Sequence, residues 1–297
     1  LSNTLTVNRK YKDSVFRMLF NSKEELLSLY NAVNGTNYVN TDDLEINTLE
    51  EDVYMKMKND ISFIFGFELN LYEHQSTECG NMPLRFLIYV TKIISGMIVR
   101  DDLYKKQVIK IPAPRFVVFY NGTDMNEDKV TYRLSDQYEK VLQSPELELL
   151  VTVININENH NPDILHACKA LNDYAVFVAK IRAYAKIMVI EDAVQKAIDE
   201  CIAEGIIEGF LMKHRAEVQE MSVFEYNEEL HLQNVRQDGI DEATAKAAVI
   251  IAEKDAIIAE KDSAIAEKDS TIAKDAETIA DLKAKIANLE AQLVSAK

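Results

Sequence analysis

"NDISFIFGFELNLYEHQS", residues 59–76, is the stretch on which the fold turns. Ile61 to Phe65 and Leu69 to Tyr72 are two runs of aliphatic, aromatic and β-branched residues. Between them lies Gly66-Phe67, a Gly-X pair suited to a two-residue type II′ turn, so a tight hairpin is expected. With Phe65 opposite Glu68, Ile61 faces Tyr72 and Asp60 faces Glu73. The two carboxylates become cross-strand neighbours. Directly opposed residues have Cβ atoms roughly 4.5–5.5 Å apart, and like charges there are destabilising unless something neutralises them. A divalent cation would do so. Gln75 lies two residues beyond Glu73, so the pleat puts its amide on the same face, where it can bind a water or a phosphate oxygen. The other account is that strand ends are commonly polar, and a slip of one residue would send Asp60 and Glu73 to opposite faces.

Outward from the hairpin, an amphipathic helix is expected near Tyr11 to Phe20, where Asp13, Phe16 and Phe20 recur at i, i+3 and i+7. Asp13 then either faces a cleft or caps the helix. Ser22 and Glu25 have capping-box spacing, and Gly35 ends the helix they start. Strand-like runs follow at Val53 to Met57, Ile61 to Phe65 and Leu69 to His74. After Pro83, "LRFLIYVTKIISGMIVR" reads as a largely buried helix, and "RFVVFYNG" and "LELLVTVININ" as central strands covered on both faces. Asn161, Pro162 and Asp163 start a long amphipathic helix. His160 and His166 flank that start without ordered partners, so metal ligation is not expected of them.

The stretches "YKDSVFRMLF", "LSLYNAVNGTNY", "ELNLYEHQS", "NMPLRFLIY", "FVVFYNG" and "FVAKIRAY" together resemble the Rpn family, recombination-promoting nucleases often labelled transposases, within the PD-(D/E)XK superfamily. The likeness runs over residues 9 to 230. It implies an α/β restriction-endonuclease-like core, in which a helix, a three-strand meander, a helix and a further strand form a mixed sheet flanked by helices. It implies that Asp60 and Glu73 hold Mg²⁺ (or Mn²⁺), that Asp13 joins that metal shell, and that Gln75 stands where the superfamily motif has Lys. The activity implied is Mg²⁺-dependent hydrolysis of DNA phosphodiesters, in recombination or mobile-element chemistry. A Gln there carries no charge to lower a pKa, so its part is to orient the attacking water. The other class of function is a catalytically silent DNA-binding or scaffold protein that oligomerises through its tail.

Composition bounds these readings. The chain has 297 residues, 47% of them hydrophobic, enough for an ordinary core, and no run of 18 apolar residues. The start "LSNTLTVNRKYKDS" has no apolar signal core, so a soluble, cytoplasmic chain with no membrane partner is expected. Cys79, Cys168 and Cys201 include no C-x-x-C pair, which argues against a disulfide framework or a zinc site. The net charge of −16 is unfavourable to DNA taken over the whole chain, but residues 1–120 carry 14 Lys or Arg against 15 Asp or Glu, whereas residues 191–297 carry 12 against 24. Arg85, Lys92, Arg100, Lys105, Lys106 and Lys110 are either a phosphate-binding patch or a solvated surface. The organisation expected is a nuclease-like core over 1–160, a helical region over 161–240, and a heptad tail over 241–297. In that tail Ile251, Ile258, Ile265, Ile272, Ile279, Ile286 and Leu293 recur every seven residues, the spacing of a coiled coil. The companion core positions are Lys254, Lys261, Lys268 and Asp275 before they become Leu282 and Leu289. Self-association is expected toward the end, with a solitary solvated helix the alternative before it.

Overall fold

The computed structural model describes residues 14–47 and 60–295. Helix α1 (Val15–Leu19) is capped by Ser14, whose hydroxyl accepts the Arg17 N–H at 3.1 Å. The cap is therefore not Asp13, which lies outside the described residues. Helix α2 (Lys23–Asn34) starts where Ser22 takes the Glu25 N–H at 3.2 Å and stops at Gly35, left-handed with φ 65°. Both signals were in the sequence.

Strand β1 (Leu44–Ile46) pairs with β2 (Ile61–Phe65), which turns back into β3 (Glu68–Gln75). The hairpin register is the one the turn dictates, Ile61 against Tyr72 and Phe65 against Glu68. At the turn Gly66 takes φ 59°, the positive value that the first position of a type II′ turn requires. Val53 to Met57 lies outside the described residues.

Helix α3 (Met82–Met97) crosses over to β4 (Ala113–Tyr120), parallel to β3. An edge strand that sequence patterning did not flag, β5 (Lys129–Arg133), returns antiparallel to β6 (Leu150–Asn155), which is itself parallel to β4. The sheet is mixed and six-stranded, in the order β1-β2-β3-β4-β6-β5. Next come α4 (Pro162–Ala167) and α5 (Lys169–Ala185), which sequence patterning joined into one helix. Cys168, at φ −125° and ψ 99°, breaks it, so that α4 packs Ile164 and Leu165 toward α2 while α5 takes its own direction. Helices α6 (Ile190–Glu204) and α7 (Glu208–Ser295) complete the chain, the latter interrupted by non-helical backbone at His214.

Alternation along the strands builds two cores. Phe63, Tyr72, Val117, Phe119 and Ile154 face α1, α2 and α4–α6, while Leu69, Leu71, Val118, Val151 and Val153 face α3. Each such side chain, once fully buried, contributes about 1.5–3 kcal/mol. The contacts divide the chain into two units, Leu1–Leu232 and Gln233–Lys297. In the second, Ile251, Ile258, Ile265, Ile272, Ile279 and Ile286 are each more than half exposed on α7. No helix among the described residues is long and apolar enough to cross a membrane.

Candidate active site

The C-terminal ends of β3, β4 and β6 come together at one edge of the sheet. Asn121 N–H donates to Gln75 O at 3.0 Å and Ile156 N–H to Tyr120 O at 2.8 Å, while the Asn157 amide donates to Gly122 O at 2.8 Å. These bonds fix the strand ends from which the candidate residues project.

Asp60 sits one step before Ile61, so the hairpin register carries it to Glu73. Its backbone N–H donates to Glu73 Oε1 at 3.1 Å, and its own Oδ2 accepts the His74 N–H at 2.7 Å. Glu73 is buried, with a side chain only 3% exposed, and Arg85 Nη2 donates to its other oxygen at 2.9 Å. Burial pushes the Glu73 carboxyl well above the usual carboxylate range, and the Asp60 charge pushes it further; Arg85 and the Asp60 N–H only partly offset this. The two carboxylates thus repel across a strand pair, as the opposed positions require.

Arg85 reaches this point because of how α3 is patterned. Met82, Phe86, Tyr89, Val90 and Ile93 form its buried stripe, and Arg85 lies at the stripe's edge, one turn from both Met82 and Tyr89. Its Nε and Nη2 donate to Tyr89 Oη at 3.2 and 3.1 Å. Gln75 shares the Glu73 face of β3, and its Nε2 donates to the Met82 sulfur. Its Oε1 makes no bond among the described residues and is the atom left to hold a water.

Comparison with family models, with curated proteins and with solved structures finds no match. The site is therefore argued from its own geometry.

Of the four residues singled out in the sequence, Asp60, Glu73 and Gln75 are brought to one strand end, and Asp13 lies outside the described residues. Arg85 leaves the group of basic residues considered as a surface patch, because it is engaged with Glu73. Of the rest, Lys105 pairs with Asp102, while Arg100, Lys106 and Lys110 are exposed. His160 Nδ1 lies 2.8 Å from Asp128 Oδ1, and His166 is exposed on α4. Tyr89 and Met82 were not anticipated as neighbours of the site. The apolar spacing of 82, 86, 89 and 93 was the available signal.

His74 points the opposite way from Glu73, stacked on Phe16 with ring centroids 4.9 Å apart and with Nε2 3.1 Å from Tyr174 Oη. Burial, helped by the Arg182 charge, pushes its pKa down to about 3. It stays neutral near pH 7 and is a poor general base there.

Among the described residues no three His, Cys, Asp or Glu side chains converge on one point. The Asp60–Glu73 pair nonetheless fits a hard divalent ion in donor chemistry. Mg²⁺ takes oxygen ligands, commonly from one or two carboxylates with waters and phosphate completing the shell.

Proposed function

We propose that the chain is a metal-dependent DNA endonuclease with a PD-(D/E)XK-type core. The observation that carries this reading is the Asp60–Glu73 pair, two acids set side by side at a strand end with the buried one held against its own charge repulsion. Asp60 and Glu73, joined by Asp13, would hold Mg²⁺ or Mn²⁺, which when bound supplies charge for the scissile phosphate and lowers the pKa of a water. Arg85 holds Glu73 in its rotamer through Oε2, and its side chain, 34% exposed, keeps for a phosphate oxygen the second N–H of Nη1, whose other contact is the Met82 sulfur at 3.4 Å. Gln75 accepts a water proton at Oε1 and so fixes the direction of the water's lone pair. The experiment is incubation of supercoiled plasmid with the purified protein, with and without Mg²⁺ or Mn²⁺. Nicking or linearisation only with metal supports the reading.

A second reading has its own observation. Arg85 already supplies a positive charge to Glu73, and Gln75 cannot supply another, which suits a silent DNA-binding or scaffold protein. Metal-independent DNA binding with no cleavage would favour it.

Gln75 separates the two. Gln75→Lys is expected to keep or raise the cleavage rate, because Lys is of similar length and, although it donates to the water oxygen where Gln75 Oε1 accepts a water proton, adds a charge that lowers the pKa of that water. Gln75→Leu is expected to lose it. Equal rates for all three proteins would show that Gln75 is a bystander at the strand end.

The tail is proposed to make the protein a homo-oligomer. An exposed Ile stripe of period seven favours association, while Lys254, Lys261, Lys268 and Asp275 weaken it. The apolar positions Ile279, Leu282, Ile286, Leu289 and Leu293 are expected to hold the assembly. Removing residues 241–297 should leave the sheet and its helices folded, because the described residues of their two cores all precede that segment. It should also raise DNA affinity modestly at low salt, since an acidic segment is gone and its repulsion acts over a Debye length of roughly 8–10 Å. Light scattering decides the first point: an unchanged number of subunits per particle means the tail does not assemble the protein.

A further inference from the structure

On the face of the sheet opposite Glu73 and Gln75, and toward the starting ends of the parallel strands, lies a groove of about 570 Å³. That is the size of a small-molecule site. Register sets Asn70 beside Arg115, and Tyr72 beside Val117 and Thr152, so the groove floor runs from β3 over β4 to β6. Val33 and Asn34, at the end of α2, form one wall, and Leu150 and Ile154 line the far side.

The floor holds polar groups the fold leaves unsatisfied. Asn70 is 1% exposed, and its Nδ2 has no hydrogen-bond partner. Tyr72, equally buried, has an Oη with no full hydrogen bond, the Asn34 amide being its polar neighbour. Buried donors without acceptors weaken a fold, so native proteins keep few of them. The acids nearby are already engaged. Glu68 accepts from Tyr30 Oη at 2.9 Å and from Arg115, and Glu148 accepts from Ser135. Lys129, at the far rim, has no ion-pair partner among the described residues. What the groove lacks is therefore an acceptor for its two buried donors, beside which Arg115 lies, and what it offers besides is apolar wall.

We infer that this groove binds a small organic anion, its carboxylate or phosphate head seated at Asn70, Tyr72 and Arg115 and its apolar body lying over Val117 and Ile154 toward Leu150. Two strand spacings of about 4.8 Å give the body roughly 10 Å to cross, the reach of a medium alkyl chain or a ring system. The site is separate from the Asp60–Glu73 pair and does not depend on the chain's being a nuclease.

The test uses the full chain and four probes: octanoate, octyl phosphate, 1-octanol and inorganic phosphate. Octanoate or octyl phosphate, whichever head the site prefers, is expected to raise the melting temperature with a saturable dose dependence, while 1-octanol and inorganic phosphate do not. Asn70→Leu and Tyr72→Phe each remove one donor with little change of shape. Each is expected to weaken binding of the preferred octyl anion by about tenfold or more, the worth of one buried hydrogen bond to a charged group. Each should leave the ligand-free melting temperature unchanged or higher, because an unsatisfied buried group has gone. Binding by neither octyl anion, equal effects of octanoate and 1-octanol, or unchanged affinity in both variants would overturn the assignment.

Discussion

Glu73→Gln is expected to abolish metal-dependent cleavage, by about 10²-fold or more, the scale on which a single charge-stabilising group in an active site counts. The amide keeps the shape of the carboxylate. Of the two bonds that hold Glu73 in place, from the Asp60 N–H to Oε1 and from Arg85 to Oε2, its single oxygen can accept one, and its NH2 group then faces the other donor. What it loses is the charge that, with Asp60, would hold the metal. Undiminished cutting by this variant would remove the metal assignment altogether.

The same substitution has a second readout that needs no DNA. The Glu73 carboxyl is raised above its ordinary value of 4.5 by burial and by Asp60. Between that value and the raised one, the folded protein binds more protons than the unfolded chain does, so stability falls as pH rises. In metal-free buffer the melting temperature is therefore expected to decline from about pH 5 upward through the raised pKa, and Glu73→Gln to flatten this decline. Mg²⁺ should recover stability at pH 7 in the parent and not in the variant. Superimposable pH profiles for the two proteins would mean that Glu73 is not held against its charge.

The hairpin was legible because a two-residue turn leaves little freedom. Once Gly66-Phe67 is the turn, Ile61 must meet Tyr72, and Asp60 must meet Glu73. The partner of Glu73 was harder to read. Arg85 was visible as a cation, but its engagement depends on which way α3 rolls on the sheet, and that is decided by Met82, Phe86 and Tyr89 packing against Leu69, Leu71 and Val118. Local propensity carries no such information. The edge strand β5 was missed for a related reason. "KVTYR" is short, its Val130 and Tyr132 face the core while Lys129, Thr131 and Arg133 face outward, and it borrows its order from β6, a partner some twenty residues on. The break at Cys168 has no Gly or Pro to announce it. The polar groups of the groove floor could not be read at all, because Asn70 and Tyr72 look like ordinary members of a half-buried strand until their missing partners are seen.

Gly122→Ala is expected to destabilise the protein by about 3 kcal/mol or more, at the upper end of what overpacking costs. A Cβ at this position would lie 2.1 Å from Ser76 O and 2.4 Å from Tyr120 Oη. Neither can yield cheaply. Ser76 O is backbone that directly follows β3, and Tyr120 is 1% exposed with its hydroxyl accepting the Asp124 N–H at 2.9 Å. Gly122 O in turn holds the Asn157 amide, and Asn157 Oδ1 accepts from Arg182 at 3.0 Å, so moving the glycine disturbs the bonds that tie β4 to α5. The melting temperature should drop by about 6–12 °C, on the scale of 2–4 °C per kcal/mol for a folded unit of this size. Because the clash falls on the residue after Gln75, cleavage should suffer beyond the loss of folded protein, since a misplacement of about 1 Å can cost 10²-fold. Gly96→Ala is the control. Its Cβ would meet nothing within 4 Å, and it lies inside α3, so a gain of about 0.4–1 kcal/mol is expected. If Gly122→Ala melts with the parent, the close approach of β4 to the end of β3 is not what fixes Gln75, and the geometry assigned to the strand end loses its anchor.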